Sequence, residues 1–257
     1  MDAALWSRQW IEPVLQLARG AGDVILTEQA RGLQIDTKPD GSAVSNADKN
    51  AEAHIIAGLQ RLAPSIPVIA EESFSATSFD QARPFWLVDP LDGTKSFLAG
   101  TDDFTVNIAL MVLQRPVFGV IYAPARRALF WNDATQAWHT GADGVTHAIA
   151  ARPPPPAGLT LITSRRTHTG ARLRAWLEGQ TIAEQLMLSS ALKFCYVAMG
   201  AADIYPRLGP TMEWDNAAGE AILHTAGGKV TAADGTSPLL YGRPDFQHHG
   251  LVARGRV

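Results

Sequence analysis

The segment 86–97, Trp-Leu-Val-Asp-Pro-Leu-Asp-Gly-Thr-Lys-Ser-Phe, constrains this chain more than any other stretch. Its apolar start predicts a buried strand, which Pro90 is expected to end because proline has no backbone N–H to donate. Asp89 and Asp92 then lie on the exit loop, where both carboxylates can bind one divalent cation such as magnesium. If a helix begins at Gly93, its free N–H groups can bind an anion. A metal and a phosphate are therefore expected at one turn, as in phosphatases.

The composition is that of an ordinary globular protein. The chain has 257 residues, of which 46% are hydrophobic and 18% charged, enough for one large domain or two small ones. The net charge is −3 without a basic block, which argues against a nucleic-acid polymer as the main partner. Cys195 is the only cysteine, so no internal disulfide can form.

The N-terminus carries no pattern typical of export. It lacks a basic region followed by an apolar one, and no run in the chain approaches 18 apolar residues. We therefore expect a cytoplasmic protein without a transmembrane segment, with peripheral attachment at the inner face of the membrane left open.

Residues 4–30 show helical spacing of apolar side chains. One face carries Trp6, Trp10, Val14, Leu17, Ala21, Val24 and Ile25. The other face is not rich in Lys or Arg, which favours packing against the body of the protein over a membrane-surface helix.

A second helix is expected from Ser45 to about Leu62. Ser45 resembles an N-cap, and Asp48 lies three positions on as the acidic partner of a capping box. Residues 31–44, rich in Gly, Pro and Asp, predict an extended segment with a turn.

The remainder of the chain predicts a mixed α/β fold. Strands are expected at 68–70, 104–113, 117–123, 127–132, 159–163 and 184–188, an extended segment at 203–206, and helices at 169–178, 190–200 and 215–226. The run Pro153–Pro156 is the clearest break. It predicts two subdomains, residues 1–152 and 153–257.

Several acidic residues stand at the ends of these expected elements. They are Asp48, Glu71, Glu72, Asp89, Asp92 and Asp215. Each has an ordinary explanation alone, because an Asp before a helix is usually a cap and a Glu pair after a strand is usually solvated surface. A structural calcium loop is not indicated at 89–92, since the alternating oxygens and distal Glu of that motif are absent.

Taken together, these residues resemble the signatures of the inositol monophosphatase superfamily. The matching segments are Glu71-Glu72-Ser73, Asp89-Pro-Leu-Asp-Gly-Thr94 and Trp214-Asp-Asn-Ala-Ala-Gly219, in the family's order and spacing. The resemblance extends from Asp40 to the C-terminal strand. It implies a layered αβαβα sandwich with a catalytic cleft between its two halves.

The resemblance also implies a metal centre with two or three magnesium ions. Glu71, Asp89 and the carbonyl of Leu91 would hold one ion, and Asp89, Asp92 and Asp215 a second, while Glu71 would help to hold a looser third. Because bunched carboxylates repel one another, we expect the site to be looser without metal.

The same resemblance assigns the catalytic and phosphate-binding groups. Asp48 and Thr94, together with Glu71, would act on the water that attacks phosphorus. Gly93, Thr94 and Lys95 would contact the phosphate.

Within the superfamily the chain is most similar to bacterial 3'(2'),5'-bisphosphate nucleotidases, which release the 3'-phosphate of adenosine 3',5'-bisphosphate and leave AMP. The similar segments are 92–97, 105–109, 119–124, 190–195 and 205–215. Ser96 departs from the acid that these enzymes usually carry. The resemblance implies a role in sulfur metabolism, inhibition by lithium, and a monomer or homodimer.

The basic residues of these segments suit a bisphosphate. Lys193 and Arg207 could pair with its second phosphate and ribose, and by analogy His168 and Ser190 would line the same pocket beside Asp215.

Two alternatives remain open. An inositol-1-monophosphatase, or another sugar or alcohol phosphatase, is disfavoured because Leu208 stands where inositol monophosphatases carry a Glu that contacts a hydroxyl. A non-catalytic metal- or nucleotide-binding relative is disfavoured because every chemical role has its residue.

Overall fold

The computed structural model describes residues 8–74, 83–165 and 170–256. The helices within these ranges are α1 (Ile11–Arg31), α2 (Asn46–Leu62), α3 (Thr94–Leu98), α4 (Ala171–Trp176), α5 (Leu192–Ala198) and α6 (Ala217–Thr225). The strands are β1 (Ile35–Thr37), β2 (Ala43–Ser45), β3 (Val68–Ala70), β4 (Phe85–Asp92), β5 (Thr105–Val112), β6 (Arg115–Ala123), β7 (Ala128–Asn132), β8 (Ala137–Thr140), β9 (Thr146–Ile149), β10 (Leu159–Thr163), β11 (Ile182–Met187), β12 (Ile204–Arg207), β13 (Thr211–Met212), β14 (Lys229–Ala232), β15 (Gln247–His248) and β16 (Leu251–Arg254).

A seven-stranded sheet in the order β3-β4-β5-β6-β7-β8-β9 forms the first half. All of its pairs are antiparallel except β3 with β4. Successive side chains of β4 point to opposite faces, as the period of a strand requires. Trp86 and Val88 therefore pack with α1 and α2 in one core, while Phe85 and Leu87 belong to a second core.

A five-stranded sheet in the order β11-β10-β12-β16-β14 forms the second half. Helices α5 and α6 contribute to the core between the two sheets. On the opposite face of the smaller sheet, Leu161, Ile204 and Val252 pack with Trp176 of α4. The layers are therefore helix, sheet, helix, sheet and helix, which confirms the predicted αβαβα sandwich.

Helix α6 lies unusually close to the large sheet. A Cβ atom on Gly119 of β6 would come within 2.4 Å of the carbonyl oxygen of Ala218, and one on Gly219 within 2.4 Å of the Phe194 ring. Only glycine permits these two approaches. They set how closely α6 lies on the sheet, and with it the position of Asp215, two residues before the helix.

Helix α2 forms where the sequence predicts it, whereas α1 begins at Ile11, later than the helical spacing from residue 4 predicts. A 3-10 turn, Arg8–Trp10, leads into α1, whose buried residues include Val14, Ala21 and Ile25, which confirms that α1 packs on the protein body. Trp6 lies outside the described residues. Helix α2 has the expected capping box.

The expectation that Pro90 ends its strand is wrong. Strand β4 continues to Asp92, and its register against β5 shifts between Asp89 and Asp92. The shift takes Pro90 out of the hydrogen-bonded ladder, where its missing N–H costs nothing. The strand end is bulged as a result, and bulges turn side chains in new directions.

The other predicted helices and strands are of the same type in the structure, but several differ in length. The segment expected to be extended at 31–44 contains the hairpin β1–β2, and α4, α5 and α6 are shorter than expected. The run Pro153–Pro156 joins β9 to β10, which belong to different sheets. The division into residues 1–152 and 153–257 remains a proposal. No helix in the described ranges has both the length and the apolar character needed to cross a membrane.

Candidate active site

The bulged end of β4 forms the floor of the site. The backbone N–H of Leu91 donates to Asp89 Oδ1 at 3.0 Å, which folds the turn back onto that carboxylate. Gly93 follows with φ 91°, and a Cβ atom there would lie 3.0 Å from the Asp103 carbonyl oxygen. Glycine is needed for both reasons, the left-handed backbone and the close approach.

Three carboxylates from distant parts of the chain meet beside this turn. Glu71 follows β3, Asp89 lies in β4, and Asp215 precedes α6. One oxygen from each lies within 4.8 Å of the others. The pairing of β3 with β4 brings the first two together, and the packing of α6 on β6 brings the third.

The electrostatics of this group favour a bound cation. Burial and repulsion from Glu71 and Asp92 raise the pKa of Asp89 well above its ordinary value. Burial and repulsion from Asp92 raise the pKa of Asp215 to about 6. Burial and repulsion from Asp215 likewise raise the pKa of Glu71. Such carboxylates resist ionisation unless a positive charge joins them. The residues present therefore fit a site for hard divalent cations, which prefer oxygen ligands.

Asp92 lies near this group but is not part of it, because the carboxylate oxygens that lie within 4.8 Å of one another come from Glu71, Asp89 and Asp215. It accepts a hydrogen bond from Asn107 Nδ2 at 3.3 Å. Burial raises its pKa, and the adjacent ammonium of Lys193 opposes that rise. The Leu91 carbonyl, the other predicted ligand, accepts from Thr94 Oγ1 at 3.1 Å.

The capping box of α2 brings Asp48 to Thr94. Asp48 Oδ2 accepts from the Ser45 backbone N–H at 2.8 Å and from its hydroxyl at 2.6 Å. Asp48 Oδ1 faces Thr94 Oγ1 at 3.3 Å. One oxygen of Asp48 thus completes the capping box, and the other is one of two acceptors, with the Leu91 carbonyl, for the single proton of the Thr94 hydroxyl. Asp48 is therefore both an ordinary helix cap and the predicted partner of Thr94.

Lys38 is a component that the sequence did not point to. Its Nζ donates to Glu71 Oε1 at 2.7 Å and to Glu72 Oε1 at 2.8 Å. Burial lowers its pKa, but attraction to Glu71 and both hydrogen bonds outweigh that, and the pKa is raised. The only signal in the sequence is its place two residues before Asp40, where the resemblance begins.

A cavity of about 880 Å³ opens above these groups. Most of the predicted residues line it: Glu71, Asp89, Leu91, Asp92, Gly93, Thr94, Lys95, Ser190, Lys193, Arg207 and Asp215. Asp48 lies behind Thr94 and does not line it. His168 lies outside the described residues.

Basic residues line the same cavity, and two of them, Lys193 and Arg207, are close enough to the carboxylates to interact with them electrostatically. Burial lowers the pKa of Lys193 to about 8, against attraction from Asp92, and its ammonium lies over the Tyr205 ring at 5.1 Å. Arg207 donates to the Pro210 carbonyl at 2.8 Å. Arg165 and Arg172 also line the cavity, and no sequence pattern singled them out, although Arg165 lies three residues before His168.

Comparison with known proteins identifies the architecture. The model of the inositol monophosphatase family matches residues 6–256. The chain belongs to the inositol monophosphatase family. Members of this family are metal-dependent and act on small phosphorylated substrates, consistent with the carboxylate group of Glu71, Asp89 and Asp215.

Three relatives place the chain within the family. The 3'(2'),5'-bisphosphate nucleotidase CysQ of Salmonella typhimurium is 42% identical over 247 residues, covering 94% of this chain and 98% of that protein. The crystal structure of CysQ from Bacteroides thetaiotaomicron has a TM-score of 0.81 and 30% identity, covering 98% of this chain and 99% of that one. The Nus factor SuhB of Pasteurella multocida is 34% identical over 235 residues, covering 88% of this chain and 86% of that protein.

Proposed function

We propose that this protein is a 3'(2'),5'-bisphosphate nucleotidase that hydrolyses adenosine 3',5'-bisphosphate to AMP and inorganic phosphate. The observation that carries the proposal is the meeting of Glu71, Asp89 and Asp215 in a cavity that Lys193 and Arg207 also line. The full-length similarity to a protein named as such a nucleotidase supports the choice of substrate.

Two or three magnesium ions are proposed as cofactors. Glu71, Asp89 and the Leu91 carbonyl would hold one ion, Asp89, Asp92 and Asp215 a second, and Glu71 would contribute to a third. When bound, the ions would stabilise negative charge on the phosphoryl oxygens as Lewis acids.

The proton chemistry is assigned to Asp48 and Thr94. The Thr94 hydroxyl is within reach of the Asp48 carboxylate at 3.3 Å, and Asp48 is held on its other side by Ser45. We assign Thr94 to orient the attacking water and Asp48 to accept its proton through the Thr94 hydroxyl. A carboxylate fixed by hydrogen bonds in one position suits this role, since general base catalysis depends on geometry first.

The rest of the substrate is assigned to the basic residues that line the cavity. Gly93, Thr94 and Lys95 would contact the phosphate that is removed. Lys193 and Arg207 would pair with the second phosphate, with Ser190 beside them. Lys193, with a pKa of about 8, still carries its charge at neutral pH. His168 is proposed to line the same pocket.

The wider setting follows from the reaction. An enzyme that consumes adenosine 3',5'-bisphosphate would act in sulfur assimilation and nucleotide recycling, in the cytoplasm or peripherally at the inner membrane face. We propose that it works as a monomer or homodimer and is inhibited by lithium through competition at a magnesium site.

The substrate assignment is tested by a direct comparison. Magnesium-dependent phosphate release is measured from adenosine 3',5'-bisphosphate and from inositol 1-phosphate at equal concentration, with chelator as the control. We expect a marked preference for the nucleotide, because Leu208 offers a polyol no hydrogen bond while Arg207 attracts an anion. A preference for inositol phosphate would overturn the substrate, and no release from either would favour a non-catalytic relative.

A further inference from the structure

Asp103 is a buried carboxylate that has no role in the function proposed above. It lies between α3 and β5 and is 1% exposed. Its Oδ1 accepts from Arg126 at 2.5 Å, and its Oδ2 accepts from Arg165 at 3.2 Å and from the Ser189 backbone N–H at 3.4 Å. Asp103 belongs to the half of the molecule that carries the turn at Gly93. It therefore connects that half to Arg165 and Ser189, two cavity-lining residues of the other half.

The segment that contains Ser190 is held at both ends by carboxylates of the first half. Asp103 accepts from Ser189, and Asp92 accepts from the Ala191 backbone N–H. Ser190 between them has φ 55°, a left-handed conformation that non-glycine residues adopt only when their surroundings impose it. Lys193 Nζ also donates to the Ser190 carbonyl. These contacts impose the conformation of a segment that lines the cavity.

Asp103 also orients Arg165. The Arg165 side chain lines the cavity and is 54% exposed, and its Nη2 donates to the buried carboxylate at 3.2 Å. This hydrogen bond restricts where the guanidinium can lie, and a planar guanidinium suits phosphate oxygens. Asp103 accepts from two arginines, of which Arg165 lines the cavity.

We propose that Asp103 is a positioning residue for substrate selectivity. Through Arg165 and the Ser189–Ser190 backbone it fixes the wall that receives a second anionic group of the substrate, away from the phosphate that is hydrolysed. This inference deepens the proposed function and rests on it for the identity of that group as a second phosphate.

The protein contains a matched control for a purely structural role. Asp203 is also a buried carboxylate, 4% exposed, that accepts from Arg152 Nε at 2.7 Å and from the Thr160 backbone N–H at 2.6 Å. It does not line the cavity. Asp203→Asn therefore removes the same chemistry without touching the proposed wall.

The experiment compares Asp103→Asn, Asp103→Glu, Arg165→Gln and Asp203→Asn with the wild type. Steady-state kinetics use adenosine 3',5'-bisphosphate and phenyl phosphate, which lacks a second anionic group. For Asp103→Asn we expect KM for the bisphosphate to rise roughly tenfold with kcat within about twofold, the effect of losing one charge-assisted contact. KM for phenyl phosphate stays unchanged, Asp103→Glu recovers part of the loss, and Arg165→Gln reproduces it.

Hydrogen exchange in the free protein provides a readout that needs no substrate. Asp103→Asn is expected to speed amide exchange in residues 188–192, and Asp203→Asn to leave it unchanged. Equal loss with both substrates, an equal effect of Asp203→Asn, or unchanged exchange would each overturn the inference. If Asp103→Asn does not fold, Arg165→Gln, at a half-exposed side chain, decides the kinetic arm.

Failure of the proposed function would look different. A wild type that does not hydrolyse the bisphosphate sinks the proposed function, whatever the variants do. The positioning role is then judged by exchange in residues 188–192, and by the same variants on the phosphate ester that the wild type prefers.

Discussion

At the scale of single residues, the site combines groups that destabilise one another with groups that hold them in place. Asp89 is 1% exposed and faces the charges of Glu71, Asp92 and Asp215. It accepts a hydrogen bond from the Leu91 N–H, which offsets only part of that repulsion. A carboxylate so placed is favourable only with a cation, which makes it the most informative position to change.

Asp89→Asn tests the metal assignment. The substitution should reduce magnesium-dependent phosphate release about 100-fold or more, because an amide replaces an anionic ligand at the centre of the group. It should also abolish the rise in melting temperature that magnesium gives the wild type, while leaving the fold intact by circular dichroism. Wild-type turnover in this variant would refute the assignment.

Thr94 distinguishes catalysis from binding. Thr94→Ala removes the hydroxyl that reaches Asp48 and should lower kcat about 100-fold with a smaller change in KM, the signature of a group that acts in the transition state. Thr94→Ser keeps the hydroxyl and serves as the control. Equal kcat in both variants would remove Thr94 from the mechanism.

At the scale of elements, the site depends on how closely α6 approaches the large sheet. Asp215 comes from a part of the chain more than 120 residues after Asp89, and it reaches the carboxylate group because Gly119 of β6 lets the α6 backbone lie against the strand. The capping box makes a similar link for α2, since Asp48 stabilises the first turn of the helix through Ser45 and also contacts Thr94.

Gly119→Ala tests this packing. The new Cβ would meet the backbone of Ala218, which cannot move without moving α6, so we expect a loss of about 1–3 kcal/mol in the free energy of unfolding. Magnesium affinity should fall as well, because Asp215 moves with the helix. Gly141→Ala is the matched control, since its nearest neighbour is the Asp143 side chain at 3.0 Å in a loop. Denaturant unfolding measures the free energy of unfolding of both variants. An equal loss of stability in Gly119→Ala and Gly141→Ala would contradict the role of Gly119 in packing α6.

At the scale of the whole molecule, the carboxylate group couples stability to pH and metal. Burial raises the pKa of Asp215 to about 6 and of Glu72 to about 7, above the values of about 3.8 and 4.5 in the unfolded chain. The folded state then binds more protons than the unfolded state between about pH 4 and 7. The stabilisation from these two groups is therefore complete at pH values below their pKa in the unfolded chain. It is lost as the pH rises through their pKa in the folded protein.

The melting temperature of the metal-free protein should accordingly fall between about pH 5 and 7, and magnesium at millimolar concentration should reduce that fall by stabilising the ionised carboxylates. Part of the fall should persist with magnesium, because Glu213, which donates no oxygen to the group, also has a pKa raised by burial to about 7. A His248 pKa lowered by burial to about 4 acts in the opposite direction. Differential scanning calorimetry across this range, with and without magnesium, checks the prediction, and identical curves would refute it.

Much of the molecule could be predicted from local sequence because local rules decide it. The capping box at Ser45 and the alternation in β4 each depend on neighbours a few residues away. The end of β4 could not be predicted from Pro90, because a strand can exclude a proline from its ladder by shifting register, and the register is set by the partner strand β5.

The sequence by itself determined which family the chain resembles and which residues are candidates for the chemistry, since motifs of carboxylates with fixed spacing lie along the chain. Only the tertiary structure decided which of them meet. It joined Glu71, Asp89 and Asp215, set Asp92 beside them, and brought in Lys38, Asp103 and Arg165, which no local pattern marks. The physical reason is that contacts between residues far apart in sequence depend on sheet register and helix packing, and these are properties of the whole core.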